Sequence, residues 1–226
     1  MLELVQNNYF FLLYIAAFIL SIVRYRVYYD TVLKYFPILI AYTLLSEILG
    51  FAIRNFDDIQ IVYEEDYYYY NTIIFNIFDF IFYLYFLSVY HKVLTSANSK
   101  MFVKVAVVLF ILVSVLNVFL QNIYVSPQNY AIIVGAIFTV ISAFLYVLEL
   151  RNNESIQTTR KLLFWISVGI IVFHFFYPIT MYIVSFEYDL YTTMGIGKFH
   201  LFTIALLYGC FIIGFIRMKR IKPHEI

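Results

Sequence analysis

Three ionisable side chains stand inside long apolar runs of this 226-residue chain: Glu47, Asp79 and His174. An ionisable group at membrane depth costs about 2.5–3.5 kcal/mol on insertion scales and by default marks a functional site. Carboxylates and imidazole in a low-dielectric setting can hold a proton, a cation or a donor-rich ligand. Their neighbours recur at helical spacing. Thr72, Asn76, Asp79 and Tyr83 follow at offsets of four, three and four, which is one helical face. Ser114, Asn117 and Gln121 make a similar stripe, and Thr43 shares a face with Glu47. His174 is followed by Tyr177 and Pro178, and Pro178 has no N–H to give to the His174 carbonyl. Gly197, Lys198, His200 and Thr203 gather near the start of the last apolar run. From this pattern a polar pocket lined by Glu47, Asn76, Asp79, Tyr83, Asn117, His174, Tyr177 and His200 is expected.

These residues must be positioned by helices in lipid. The chain is 64% hydrophobic and 13% charged, against about half and about a quarter in soluble domains. Runs near the roughly 20 apolar residues that cross a bilayer fall at 7–23, 33–53, 71–91, 101–121, 129–149, 162–185 and 199–217. The expected architecture is an all-α bundle of seven transmembrane helices forming a single membrane domain over 1–226. Basic residues set its direction. Arg24, Arg26, Lys34, Lys92, Lys100, Lys104, Arg151, Arg160, Lys161, Arg217, Lys219, Arg220 and Lys222 follow odd-numbered spans, while Arg54 and Lys198 fall on the other side. Positive charge stays in the cytoplasm, which puts the N-terminus outside and the C-terminus inside. The pocket residues then lie in the outer half of the bilayer.

Other features fit the same frame. In the stretch EEDYYYYN, Glu64 to Asn71, acids run straight into tyrosines. The acids belong in water and the rings at the level where water meets lipid. The first run lacks a basic n-region and an A-x-A-like site, so it reads as a retained helix and not a signal peptide. Glu149 beside Arg151 reads as an interfacial ion pair, Trp165 as an interface anchor and the lone Cys210 as a packing residue. A formal net charge of +1 suggests no nucleic-acid partner.

Three functions suit this layout. The first is a sensor or receptor-like protein that binds a small molecule or lipid and signals through a separate cytoplasmic or membrane partner. The second is a proton-coupled transporter or channel in which Glu47, Asp79 and His174 relay protons. The third is an intramembrane metal-dependent lipid hydrolase. Ser46, Asp79, His174 and His200 look superficially similar to the serine, aspartate and histidine set of the seven-span ceramidase superfamily, but the paired histidines four apart on the last span are missing. Zinc would need three ligands and a water, and Asp79, His174 and His200 would be first in line. No catalytic set is otherwise evident. Retinal is not expected, because a protein resembling the microbial rhodopsins needs a lysine deep in the last span and 201–216 contain none. The runs NTIIFNIFDFIFYLYF (71–86) and LLFWISVGIIVFHF (162–175) resemble the aromatic spans of small, uncharacterised seven-helix inner-membrane proteins of bacteria. The resemblance implies a multi-pass protein of the cytoplasmic (inner) membrane and carries no known activity.

Overall fold

The structure is a computed structural model that describes residues 9–56, 58–60, 72–152 and 160–219. Asp57, the stretch EEDYYYYN and the basic tail beyond Lys219 lie outside the described residues. The described chain is all-helical. Six helices are long and apolar enough to cross a membrane, with mean hydropathy between 1.8 and 2.7 in their most apolar windows. We label the longer helices α1 (Tyr9–Val23), α2 (Phe36–Asn55), α3 (Thr72–Val93), α4 (Ala97–Leu120), α5 (Asn129–Asn152), α6 (Leu162–Phe186) and α7 (Ile196–Arg217). Over its described 15 residues, α1 reaches about 22 Å at 1.5 Å per residue, so it is not counted among the six. Two short helices, Tyr25–Tyr28 and Tyr188–Thr193, interrupt connections that read as loops in the sequence.

Helix ends follow local chemistry. Pro37 sits in the first turn of α2, where no N–H is required. The turn into α7 passes through Gly195 at φ 62°, a left-handed conformation that glycine adopts without a Cβ clash. Glu149 does not act as the ion-pair partner expected of it. Residues two apart on a helix do not face each other, and the Glu149 carboxylate instead accepts from the Thr95 N–H (2.7 Å), the Thr95 hydroxyl (2.8 Å) and the Ser96 N–H (3.3 Å) at the start of α4. This cap explains why α4 begins several residues before the apolar run does.

The helices close into a ring in which α1 packs on α2 and α7, α6 on α5 and α7, and α3 on α4 and α5. The contact between α2 and α3 is the thinnest around it. One end of the ring collects the basic residues. Arg24 donates from Nε to the Phe215 carbonyl (3.1 Å) and from Nη2 to the Met218 carbonyl (2.8 Å), satisfying acceptors at the C-terminus of α7. The Lys219 N–H reaches the Arg160 carbonyl at 3.3 Å, and Tyr90 and Ser167 share a hydrogen bond of 3.0 Å. The ends of α1, α3, α5 and α7 and the starts of α4 and α6 therefore lie together, and we call this the basic end. Large apolar side chains such as Leu45, Leu112, Phe144, Phe175 and Phe202 are exposed around the outside. Apolar surface spread over every long helix belongs in lipid. The chain is a multi-pass helical membrane bundle.

Candidate functional site

Near the basic end the helices touch closely. Farther away they part around a cavity of about 500 Å³ walled by α1, α2, α3, α6 and α7, within the roughly 300–1,000 Å³ range of small-molecule sites. Glu47, Asn76, Asp79, His174, Tyr177 and His200 line it. Glu47, Asn76, Asp79, Tyr177 and His200 lie in the halves of their helices away from the basic end, and His174 is the central residue of α6.

Asp79 is 8% exposed and accepts a 2.7 Å hydrogen bond from the Tyr177 hydroxyl. That contact crosses from α3 to α6 and fixes one carboxylate oxygen. His174, 4% exposed, is held by rings: Phe82 stacks at 4.7 Å, Phe173 meets it edge-on at 4.9 Å and Tyr83 at 5.4 Å. Its Nδ1 lies 3.3 Å from the Ile170 carbonyl, which favours the tautomer with the proton there and leaves Nε2 as an acceptor. Tyr177, Phe173 and His200 form a triangle of rings, with Tyr177 5.1 Å from Phe173 and 5.8 Å from His200 and Phe173 5.8 Å from His200. Phe173 and Tyr177 also meet His174, so the two histidines share one aromatic cluster. The Nδ1 of His200 is buried with no hydrogen-bond partner. Across the cavity, Glu47 accepts a long 3.5 Å hydrogen bond from Tyr14, and Tyr14 packs edge-on against Tyr208 at 4.3 Å. Helix α6 runs unbroken through Pro178.

The other expected residues have different surroundings. Asn117 is fully buried outside the cavity wall, donating to Gln121 at 2.8 Å and accepting from the Ala131 N–H at 2.9 Å. Gln121 also accepts from the Asn129 N–H. Asn117 and Gln121 are thus a cap for the first turn of α5, while Ser114 bonds back to the Phe110 carbonyl of its own helix. Asn76 lines the cavity but is committed to the same task, donating to the Ile123 and Ser126 carbonyls and accepting from the Gln128 N–H. Tyr83 lies behind Asp79, beside a second pocket of about 260 Å³ between α3, α4 and α5. Its ring crosses the backbone of Gly135, where an added Cβ would come within 2.5 Å of it. Small residues at such crossings let membrane helices approach closely.

Two polar cavity residues were not singled out in the sequence, Tyr14 and Tyr208. In a chain with 23 tyrosines, nothing in their spacing separates them from core or interface rings. Ser46 also lines the cavity. Among the described residues no three His, Cys, Asp or Glu side chains gather into a group able to hold a metal ion. No family model matches this chain, and no curated protein or solved structure matches it.

Proposed function

We propose that the chain is a seven-span protein of the bacterial inner membrane, N-terminus outside and C-terminus in the cytoplasm, that binds a small organic molecule in the outward half of the bundle and signals its presence to a separate partner. The observation that carries this is the cavity itself. Its wall includes Glu47, Asp79, His174 and His200, from four helices. Polar contacts that only tie helices together need no room between them, whereas these groups surround about 500 Å³ of space.

The lining indicates the kind of molecule. Two carboxylates face the space, and among the described residues no Lys or Arg does. Phe78, Phe82, Phe173, Tyr14 and Tyr208 supply the remaining wall. A carboxylate in a low-dielectric site is stabilised by a cation or a strong donor, and aromatic faces attract organic cations. The ligand class that suits both is a small aromatic or alkyl ammonium compound.

The test is thermal stability of the purified, detergent-solubilised protein with three probes: benzyltrimethylammonium, phenethylamine and phenylacetate. A ligand that binds only the folded state at 100 times its Kd adds about 2.7 kcal/mol. The two cations raise Tm, phenylacetate does not, and Glu47→Gln and Asp79→Asn remove the rise. No shift with either cation, or an equal shift with the anion, would contradict the reading. Proteoliposomes separate sensor from carrier, because a sensor binds the labelled cation without accumulating it.

A further inference from the structure

We infer that a seam of buried hydroxyls relays protons between the cavity and the basic end of the bundle. The seam begins at Asp79, which lines both the main cavity and the smaller pocket beside Tyr83. Below it on α3, Tyr83 and Tyr90 continue the same helical face and are fully buried. Opposite, on α5, Gly135, Thr139, Ser142, Tyr146 and Glu149 recur at offsets of four, three, four and three, which is again one face. Thr139 and Ser142 have no exposed surface, and Tyr146 has little. The third wall is α6, with Ser167 fully buried and hydrogen-bonded to Tyr90.

The register of these helices makes the seam continuous in depth. Tyr83 lies over Gly135, and the rings of Tyr90 and Tyr146 are 6.1 Å apart. Both α3 and α5 run toward the basic end, so Thr139 and Ser142 fall at the levels between Tyr83 and Tyr90. Thr139 is one turn beyond Gly135, about 6 Å farther along. Below Tyr146, the Glu149 carboxylate meets Thr95 and Ser96 at the rim.

Two of these hydroxyls are not satisfied by protein. The Tyr83 hydroxyl and the Thr139 hydroxyl are both buried without a hydrogen-bond partner. Lipid offers none at this depth, and a buried polar group without a protein partner is normally satisfied by water. At Tyr83 the pocket of about 260 Å³ gives room for it on the side lined by Asn76, Asp79, Ser114 and Gln128, while the rest of that wall is apolar. A string of hydroxyls and waters moves protons by exchange. Each oxygen accepts a proton on a lone pair and releases its own to the next, so one proton enters at Asp79 and one leaves near Glu149. No oxidant, reductant or covalent change is involved. The titratable groups facing the cavity end are Asp79, Glu47, His174, His200, Tyr14, Tyr177 and Tyr208, and the carboxylates and histidines among them can supply or take the entering proton.

This goes beyond ligand binding and does not depend on it. The test is proton uptake into proteoliposomes containing a pH-sensitive dye, driven by a valinomycin-set potassium potential, with no ligand added. The wild-type protein acidifies the lumen faster than protein-free vesicles do. Asp79→Asn abolishes the difference. Thr139→Val, which keeps the side-chain volume and removes the hydroxyl, slows it about tenfold, as loss of one relay hydrogen bond of roughly 1.4 kcal/mol would. Tyr83→Phe acts in the same direction, and Ser21→Ala, at a buried hydroxyl outside the seam, leaves the rate unchanged. Tm and gel-filtration profile check that each variant is folded. Uptake no faster than that of protein-free vesicles, or folded Thr139→Val and Tyr83→Phe variants at the wild-type rate, would overturn the inference.

Discussion

At the basic end, Phe36 has no exposed surface and packs against the rings of Phe211 (5.1 Å), Phe215 (6.0 Å) and Phe86 (6.1 Å), from α2, α7 and α3. At the other end the same three helices stand apart around Glu47, Asp79 and His200. Composition does not explain this difference, since both halves are rich in aromatic residues. What differs is the side chain at the facing positions. Phenylalanine fills space and asks for no partner, so helices close on it. A carboxylate or imidazole needs a partner, so helices that carry one close only where a donor or acceptor is supplied. Tyr177 supplies one for Asp79, and the Ile170 carbonyl lies beside His174. The remaining capacity faces the cavity. The packed end holds the bundle together, and the hollow end leaves the space that we propose binds a ligand.

This contrast makes graded predictions. The largest effect belongs to the helix crossing that joins the two halves. Gly135→Val pushes a side chain into the fully buried Tyr83 ring, and overpacking of this kind costs about 1–3 kcal/mol, occasionally more. Thermal melts in detergent should show a larger loss of Tm than any cap or cavity variant gives. A Tm within a degree of wild type would mean that α3 and α5 are not held this closely.

Next come the caps. Asn117→Ala strips an acceptor from the first turn of α5 and should cost about 1–2 kcal/mol of stability, with no change in cation binding. Weakened binding at unchanged stability would return Asn117 to the pocket. Glu149→Ala should cost about 1 kcal/mol, as loss of a cap does. Arg151→Ala should stay within about 0.5 kcal/mol, as surface changes do. Equal losses for the two variants would restore the ion pair that the sequence suggested. The smallest effect on stability belongs to the hollow half. Tyr177→Phe removes the hydrogen bond to Asp79 and should change Tm little, while shifting cation affinity by about tenfold, the equivalent of roughly 1.4 kcal/mol.

Much of this was legible in the sequence because lipid imposes simple rules. Length and hydropathy placed all six long helices to within a few residues, since backbone groups in a bilayer must be paired within each span. Helical spacing put Asn76, Asp79 and Tyr83 on one face, which is correct. It did not separate their roles, because a helix face of about 100° meets more than one neighbour. Asp79 turns to the cavity, Asn76 also reaches the loop before α5, and Tyr83 crosses onto Gly135. Asn117 was invisible as a cap for a different reason. Its partner, the Ala131 N–H, is a backbone group on another helix, and no side-chain pattern announces it. The Tyr14 contact to Glu47 was hidden in the same way, by a partner 33 residues distant that looks like any other tyrosine.

The contrast between a packed end and a hollow end, which we propose faces outward, can be tested with single cysteines. Cys210 is the one cysteine in the sequence, so Cys210→Ser gives a background free of thiols. Into it go Glu47→Cys, in the cavity, and Phe86→Cys, fully buried at the packed end. A cationic, membrane-impermeant thiol reagent is added outside intact cells, and labelling is followed with time. A hollow end open to the outside gives a Glu47→Cys protein that is labelled from outside and protected by benzyltrimethylammonium, while Phe86→Cys stays unlabelled. Labelling of Glu47→Cys only in inverted vesicles, or equal labelling of both positions, would contradict it.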